Sequence, residues 1–428
     1  MYQGIKRVFE DFVKPADSPE QKMVGARAFV AELRKRLGLY EDEYGTPRLN
    51  ESQATMSSRS FCIKGLAESL IGPDWADQIR QSNASAFRVF EAGGVGAITP
   101  ANLPNVSAYL GSVIGLLDAQ ILKGYSMPEF IADQLVPTRP SKTRVSRYIG
   151  AGWMGDVALN RNPGEPYPEA QIEERFVTTQ ETQQYALKGS VTFEAIFFEQ
   201  TQQVLDQMNM IGKWLGLKRE RSAFRLIAGV TNPYSYRGTS YNTWLTSGNW
   251  INHLTGVLLR DWTSINVVNS YFSRMKDQET GTRIAVDWDT VLCSPSKTMT
   301  AQYIQAATEV ESVTQSGQVV SHAKRLGDSK KILSSTFLDE ILTNATTDPV
   351  NPGLALAQSV ADDYWWALRT AGDDPAFIRT ENWPITIQRA SPNDYAMLNQ
   401  KLVLAVFADY MDSVDVREPR YGIMCTPS

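Results

Sequence analysis

Residues 191–229, VTFEAIFFEQTQQVLDQMNMIGKWLGLKRERSAFRLIAG, constrain this chain more than any other stretch, because their pattern predicts one long helix. Apolar side chains recur at three- and four-residue steps through Val204, Met208, Ile211 and Leu215, then through Trp214, Leu217, Phe224 and Ile227 on a drifting stripe. Thr192 is placed to cap the start, and Gly229 with Pro233 beyond it marks the end. Glu194, Glu199 and Asp206 occupy the first half while Lys213, Lys218, Arg219, Arg221 and Arg225 crowd the second, which suits the helix macrodipole at both ends. At about 1.5 Å per residue the helix runs roughly 50 Å, longer than the core of a small domain. It is therefore expected to be a spine on which other layers lean. The alternative is a core helix of some large enzyme, and the neighbouring segments decide between the two.

A chain of 428 residues has room for two or three domains, and 43% hydrophobic with 21% charged residues is ordinary for a globular protein. The formal charge of -5 argues against a protein that binds nucleic acid over its whole surface by neutralising phosphates, while leaving a local basic patch open. Cys62, Cys293 and Cys425 are far apart and odd in number, which points neither to a disulfide framework nor to a cysteine zinc site and suits a reducing compartment. The opening MYQGIKRVFEDFVKP lacks an apolar run of signal-peptide length, and no run of roughly eighteen apolar residues occurs, so no membrane span is expected.

Ahead of the spine, Ser18-Pro19-Glu20-Gln21 reads as a capping box with proline at the first helical position. Met23, Ala26, Val30, Leu33 and Leu37 follow on a narrow stripe that ends at Gly38, and a stripe of this kind needs a partner. A second helical pattern passes through Cys62, Leu66 and Leu70 to Gly72-Pro73. Residues 1 to 90 thus read as an arm that packs on something else, the alternative being a free-standing three-helix domain. Val106 to Lys123 is a further helix, stopped by Gly124. The preceding Gly93-Gly94-Val95-Gly96 lacks the spacing of a phosphate loop and reads as a hinge.

Residues 129–143 lead towards a strand that Pro137 and Pro140 confine to a sheet edge. Arg144 to Leu159 and Ile172 to Val191 both read as extended, around the turn cluster Asn160-Arg161-Asn162-Pro163-Gly164-Glu165-Pro166. The return limb is mostly Thr, Gln and Glu, and a long polar two-stranded ribbon is not stable alone. It is expected to project and lie on another surface, that of a neighbouring subunit. Beyond the spine, residues 231–258 read as irregular, Asp261 to Lys276 as a helix, Thr282 to Cys293 as a strand, and Ser296 as the cap of a helix through Met299, Tyr303 and Ala307. Lys331 to Ser334 reads as a short strand before a helical turn at Phe337 to Leu342, a proline-marked loop at Asp348 to Pro352 precedes Tyr364-Trp365-Trp366-Ala367-Leu368, and the chain closes with the extended runs Phe377 to Arg389, Met397 to Met411 and Tyr421 to Thr426.

This order of parts resembles the HK97-type major capsid protein of tailed bacteriophages. LVPTRPSKTRVSRY (135–148) looks like the passage from the N-terminal arm into the E-loop, and YALKGSVTFE (185–194) like that from E-loop into spine helix, which ends in LKRERSAF (217–224). DTVLCSPSKTM (289–299) resembles the strand and helix start of the A-domain, and AFIRTENWPITIQR with LVLAVFADYMDSVDVREPRYGIM the late P-domain strands and final A-domain strand. The likeness covers residues 100 to 428. The first 90 residues are longer than a minimal arm.

The resemblance implies an α+β, HK97-like capsid fold. Its parts are an N-terminal helical arm or extension (1–128), an approach to the P-domain (129–143), an E-loop hairpin (144–191), the P-domain spine helix (192–235), an A-domain (236–376), P-domain strands (377–413) and a final A-domain strand (414–428). It implies self-assembly as hexamers and pentamers into an icosahedral shell around double-stranded phage DNA, in a virion assembled in the host bacterial cytoplasm. Implied partners are the chain itself, portal, scaffolding or decoration proteins, and packaged DNA held non-specifically, with no membrane, no cofactor and no enzymatic activity. Contact with a neighbouring subunit is expected at the E-loop tip, Asn160, Arg161, Asn162, Pro163, Glu165 and Tyr167, and arm packing at Met23, Val30 and Leu33. Some capsids of this fold cross-link Lys to Asn. The tip holds no lysine, and Lys188 sits near the base, so no such bond is expected. Ten Trp and seventeen Tyr suit a chain with much interface.

Two rival readings stand beside this one. An encapsulin-type nanocompartment shell shares the fold. A carbohydrate-active or hydrolytic enzyme would use aromatic residues 231–262 to line a cleft. Its candidate groups are sparse. His253 and His322 have no metal-spaced partner; Ser294-Pro295-Ser296-Lys297 matches SxxK without the motifs that accompany it in penicillin-binding enzymes. Asp287 and Asp289 share a strand face as paired carboxylates do, though a solvated face explains them as well, and Asp362-Asp363 and Asp373-Asp374 lack EF-hand spacing.

Overall fold

The computed structural model describes residues 8–12, 19–41, 47–57, 61–76, 79, 103–149, 176–231, 234–236, 238–248, 250–276, 281, 283–284, 286–306, 309–313, 319–323, 330–372, 374–390 and 402–427. The chain divides into two compact units, each drawn from three separate stretches. One takes Met1–Met127, Gln184–Leu217 and Trp383–Met411; the other takes Pro128–Gln183, Lys218–Asn382 and Asp412–Ser428.

The first unit is built on two helices. Leu103–Tyr125 is apolar enough by length and composition to cross a membrane, but its most apolar window is 94% buried in the protein, which makes it a core helix. It lies against the early part of the spine helix, Thr201–Ile227. Gly124 and Gly212 make the crossing: a Cβ on Gly212 would lie 2.0 Å from the Ile121 carbonyl oxygen, and one on Gly124 would lie 2.1 Å from that of Asn209. Asn209 Nδ2 donates to the Gln120 carbonyl at 3.2 Å across the same contact. The helix ends at Tyr125, one residue past the expected stop at Gly124, and Gly124 serves the crossing as well because the neighbouring backbone leaves no room for a side chain.

The arm folds onto this pair. Pro19–Arg36 and Ile63–Leu70 bury their stripes against Leu103–Tyr125, within one core that includes Ala26, Phe29, Leu66, Leu117 and Ile121. Each large apolar side chain so buried contributes about 1.5–3 kcal/mol. The first residues are thus part of a shared core and not a free-standing domain. Gly38 and Gly72 end the two helices at φ +81° and +115°, a region that glycine enters without a Cβ clash.

The spine differs from one continuous 191–229 helix. Gln183–Thr192 is a strand, Phe193–Phe197 a short helix capped by Thr192 Oγ1 accepting from Ala195 N, and Thr201–Ile227 the spine proper. Between them Glu199 stands at φ +57°, with Gln200 N bonded to Ala195 O and Glu199 N to Ile196 O. This is a left-handed helix ending that glycine usually makes. Lys64 pairs with Glu199 at 3.1 Å, and Ile63 N donates to Thr201 Oγ1 at 3.0 Å, so the arm helix holds the break. The far end follows expectation: Gly229, at φ +80°, closes the helix with Val230 N bonded to Arg225 O. Of the anticipated stripe, Val204, Met208, Ile211 and Leu215 are buried, whereas Trp214 is 53% exposed.

In the second unit a five-stranded sheet runs in the order Lys331–Ser334, Thr290–Cys293, Trp365–Leu368, Gly422–Thr426, His253–Thr255. Its three central strands are buried on both faces, and their alternate residues enter two different cores. Leu292, Trp366, Leu368 and Met424 face one core, while Val291, Cys293, Trp365, Ala367, Ile423 and Cys425 face the other. The strand expected from Thr282 is formed only at 290–293. Residues 231–258, expected to be irregular, contain Tyr234–Tyr236 and Thr239–Tyr241 as a hairpin and His253–Thr255 as an edge strand. Ser296 caps no helix; it lies in the short 3-10 turn Pro295–Lys297 that precedes Thr298–Ala306. The long closing strands are Phe377–Ala390 and Leu402–Val416, in a four-stranded sheet edged by Thr138–Pro140 and Gln183–Thr192. The proline-rich strand is therefore at an edge, as Pro137 and Pro140 require.

The glycine crossing makes a direct prediction. Gly212→Ala is expected to destabilise the chain by about 3 kcal/mol or to prevent folding, because a buried backbone must move to admit the methyl group. Gly115→Ala, on the same core helix with its nearest neighbour Arg34 Cγ at 3.3 Å, is expected to change stability by less than about 1 kcal/mol. Denaturant unfolding of both variants beside the parent chain checks the contrast.

Candidate functional site

The hairpin that the sequence marks for contact with a neighbour has a built root. Arg147–Ile149 pairs antiparallel with Phe176–Thr178, Tyr148 opposite Val177, and Val177 pairs in turn with Tyr236. Side chains lock this register. Thr179 N donates to Ser146 O at 3.0 Å while Ser146 N donates to Thr179 Oγ1 at 2.9 Å, and Asn382 Nδ2 reaches the carbonyls of Ser141 and Thr143 at 3.2 and 3.0 Å. Tyr148 shares a hydrogen bond with Thr380 at 3.2 Å, and the Arg417 guanidinium stands 5.1 Å from its ring centre, with Arg417 Nη2 on Asp374 at 2.9 Å. The return limb is tied down where Gln180 N donates to Asp415 Oδ1 at 2.7 Å. The tip residues Asn160, Arg161, Asn162, Pro163, Glu165 and Tyr167 lie outside the described residues.

Buried charge sits beside this root. Arg379 is fully buried and pairs with Asp133 and, at 3.3 Å, with Asp412. Arg219 also reaches Asp133, at 2.8 Å, and Glu220 accepts from the backbone N–H of Ile131 and Ala132 at the start of the short helix Ala132–Leu135. Burial pushes the carboxyls of Asp412 and Asp415 up to about 6; Arg379 opposes the rise at Asp412, and the Gln180 N–H and Ser413 hydroxyl oppose it at Asp415. Sequence reasoning missed these anchors. The signal available was an acidic residue recurring inside the otherwise apolar run LVLAVFADYMDSVDV, since a charge in a buried strand requires a partner.

In the arm, Met23, Val30 and Leu33 are buried at 1%, 4% and 4% exposure. Asp118, on the core helix, carries a second buried charge group: Arg34 pairs with it at 3.4 Å and Arg389 at 2.5 Å. Burial raises the Asp118 carboxyl above its ordinary range, against the pull of the two guanidinium groups. Lys188 has its ammonium 5.5 Å from the centre of the Phe407 ring.

The residues that an enzyme reading would use are engaged structurally. Ser294 Oγ donates to Asp339 Oδ2 at 3.1 Å, while Lys297 pairs with Asp363 at 2.8 Å. Asp289 accepts from the Thr290 and Thr370 hydroxyls and from the N–H groups of Thr370 and Ala371; burial raises its carboxyl, but these bonds outweigh it and hold the group below the usual range. Asp287 is 84% exposed and pairs with Lys330 at 3.4 Å, so the two aspartates do not form a carboxylate pair. His253 Nε2 meets Thr426 Oγ1 at 3.0 Å, and burial lowers its pKa. The His322 side chain and Asp373 lie outside the described residues. Much of the aromatic region packs inward: Trp250 meets Tyr234 edge-on and Tyr241 at a tilt, with ring centres 5.7 and 5.8 Å away, Trp244 Nε1 donates to Ile227 O, and Asn252 Nδ2 bonds to Thr243 O and Pro419 O, while Trp262 is 39% exposed.

A family model described as phage capsid protein matches residues 176–396. No curated protein matches the sequence. Among solved structures, the chain is similar to the mature capsid of bacteriophage PhiM1 at 10% identity and TM-score 0.42, covering 71% of this chain and 88% of that one. It is similar to the capsid of cyanophage P-SCSP1u at 11% and 0.41, covering 69% and 86%. It is also similar to a virus-like particle from Pyrococcus furiosus at 9% and 0.37, covering 72% and 97%.

The raised carboxyls fix a pH dependence. A carboxyl whose pKa is higher folded than unfolded contributes stability that is full below its unfolded value of 3.8 and is lost as pH rises through about 6. For Asp412 the difference is on the order of 3 kcal/mol. Asp412→Asn is therefore expected to flatten the stability profile between pH 7 and pH 4, measured by denaturant unfolding at a series of pH values; a variant with the parent's slope would show that Asp412 does not titrate in that window.

Proposed function

We propose, for a chain that belongs to the phage capsid protein family, that it is the major head protein, and that copies of it close into an icosahedral shell of hexamers and pentamers around double-stranded DNA. Membership rests on the match over residues 176–396, more than half of the chain, and with it stands the HK97-like, α+β reading made from the order of the parts. The chain is accordingly a capsid shell protein, and its place is the virion.

The finer statements are the proposal. Assembly takes place in the host bacterial cytoplasm, with portal and scaffolding or decoration proteins as partners and DNA held without sequence preference by a mildly acidic wall. The shell has no enzymatic activity. The hairpin tip, Asn160 to Tyr167, lies on a neighbouring subunit, and the seven-part division from arm to final strand describes the working domains. The observation that supports this reading best, beyond the family match, is the hairpin root. A segment that its sequence marks as a polar hairpin, and whose described ends are fastened by hydrogen bonds, has its use in reaching another subunit.

The experiment is expression of the chain alone and with the proteins of its own gene neighbourhood, followed by electron microscopy and light scattering. Closed shells, capsomer rings or tubes are expected, and native particles are expected to contain DNA. Particles holding a protein cargo instead would replace the phage shell by a nanocompartment, and a chain that stays monomeric under every one of these conditions would overturn self-assembly.

A further inference from the structure

The helix Thr298–Ala306, TMTAQYIQA, carries no charged residue. Its inner face is fixed: Ala301 and Ile304 are buried in the core that contains Val291 and Trp288, beside the strand Lys331–Ser334. Its start is fastened by the Lys297–Asp363 pair and by Ser294 on Asp339. The outer face presents Met299 and, one turn on, Tyr303, at 77% and 79% exposure, the two most exposed large apolar side chains among the described residues. Gln302 and Ala306, also exposed, complete it.

A solvent-facing helix usually alternates charge to stay soluble; interface cores lose charge and gain Met and Tyr. We infer that the outer face of this helix, centred on Met299 and Tyr303, is a contact surface for a second copy of this chain. The inference rests on the shell reading above and names one of its seams. The choice of occupant follows from area. Two such side chains offer on the order of 300 Å², whereas a stable pair in solution buries about 800 Å² on each partner. The patch is too small to hold a separate protein or a dimer by itself. It is the right size for one of several contacts that close together when identical subunits meet in a ring, where each adds to the next through the effective concentration the others create.

Met299→Glu and Tyr303→Glu, made in the full chain, test it, together with a photo-crosslinking amino acid at position 303. Both glutamate variants are expected to keep the parent's thermal transition, since the side chains stand in solvent, and to lower particle yield by about tenfold or more by placing a charge in the seam. The photo-crosslinker is expected to join two copies in particles, with the second peptide mapping to this chain, and to give no dimer from dilute unassembled chain. Parent-like yield from both variants, or crosslinks that run to another protein or stay within one chain, would overturn the inference while leaving the shell intact. If the unaltered chain forms no particles, the shell reading fails and takes this seam with it.

Discussion

Two glycines set the terms for one half of this molecule. Where Leu103–Tyr125 crosses the spine helix, Gly124 and Gly212 let backbone meet backbone, with no space for even a methyl group on either side. Helices this close exchange side-chain packing for direct main-chain contact, and Asn209 adds a hydrogen bond to the Gln120 carbonyl. Once that crossing is set, the outer surface of the core helix is the platform for the arm, and Asp118 on it gathers Arg34 from the arm and Arg389 from a closing strand. The arm's apolar stripe, unpartnered in its own sequence, finds its partner within the chain.

Charges buried in strands organise the other half. Arg379, Asp412 and Asp415 lie where apolar side chains would give more stability, and a buried ion pair is a weak source of net free energy. What such groups supply is register. A slip of one residue in Leu402–Val416 would reverse the faces of every side chain and leave Arg379 without Asp412 and Gln180 without Asp415. The same holds where Arg147–Ile149 pairs with Phe176–Thr178, since Asn382 and Asp415 fasten the segments on either side of that pairing.

The two ends of the spine show why some of this was legible and some was not. Both close with the same left-handed hydrogen-bond pattern. At the far end the residue is Gly229, which announces the turn; at the near break it is Glu199, which does not, and the break is held by Lys64 and Ile63 from a distant helix. The buried strands Thr290–Cys293 and Gly422–Thr426 were readable as extended runs, and Thr138–Pro140 as an edge from its prolines, whereas Trp365–Leu368 was not assigned a conformation from its sequence. Gly124 was read only as a stop signal, because that role and its role in close approach look identical in one sequence. The root anchors Asn382 and Asp415 act on segments 235 to 241 residues earlier, and nothing in their local sequence names those partners. Of the candidate site, the hairpin's root is on view and its tip lies outside the described residues.

A chain that works by association divides its surface differently from one that works by catalysis. An enzyme converges its polar groups on a cleft and leaves some poised, whereas here Ser294, Lys297, Asp289 and His253 are each taken up by a neighbour within the fold. Of the aromatic residues that would line a cleft, Tyr234, Tyr241 and Trp250 pack on one another beside Asn252. Among the described residues, large apolar side chains also lie on the outside: Met299 and Tyr303 on an uncharged helix and Trp214 on the spine. Isolated apolar side chains on a surface need no explanation, but Met299 and Tyr303 stand one turn apart on a helix whose other face, Ala301 and Ile304, is already buried in the core. In a protein of the capsid family the most abundant surface that such side chains meet is another copy of the same chain.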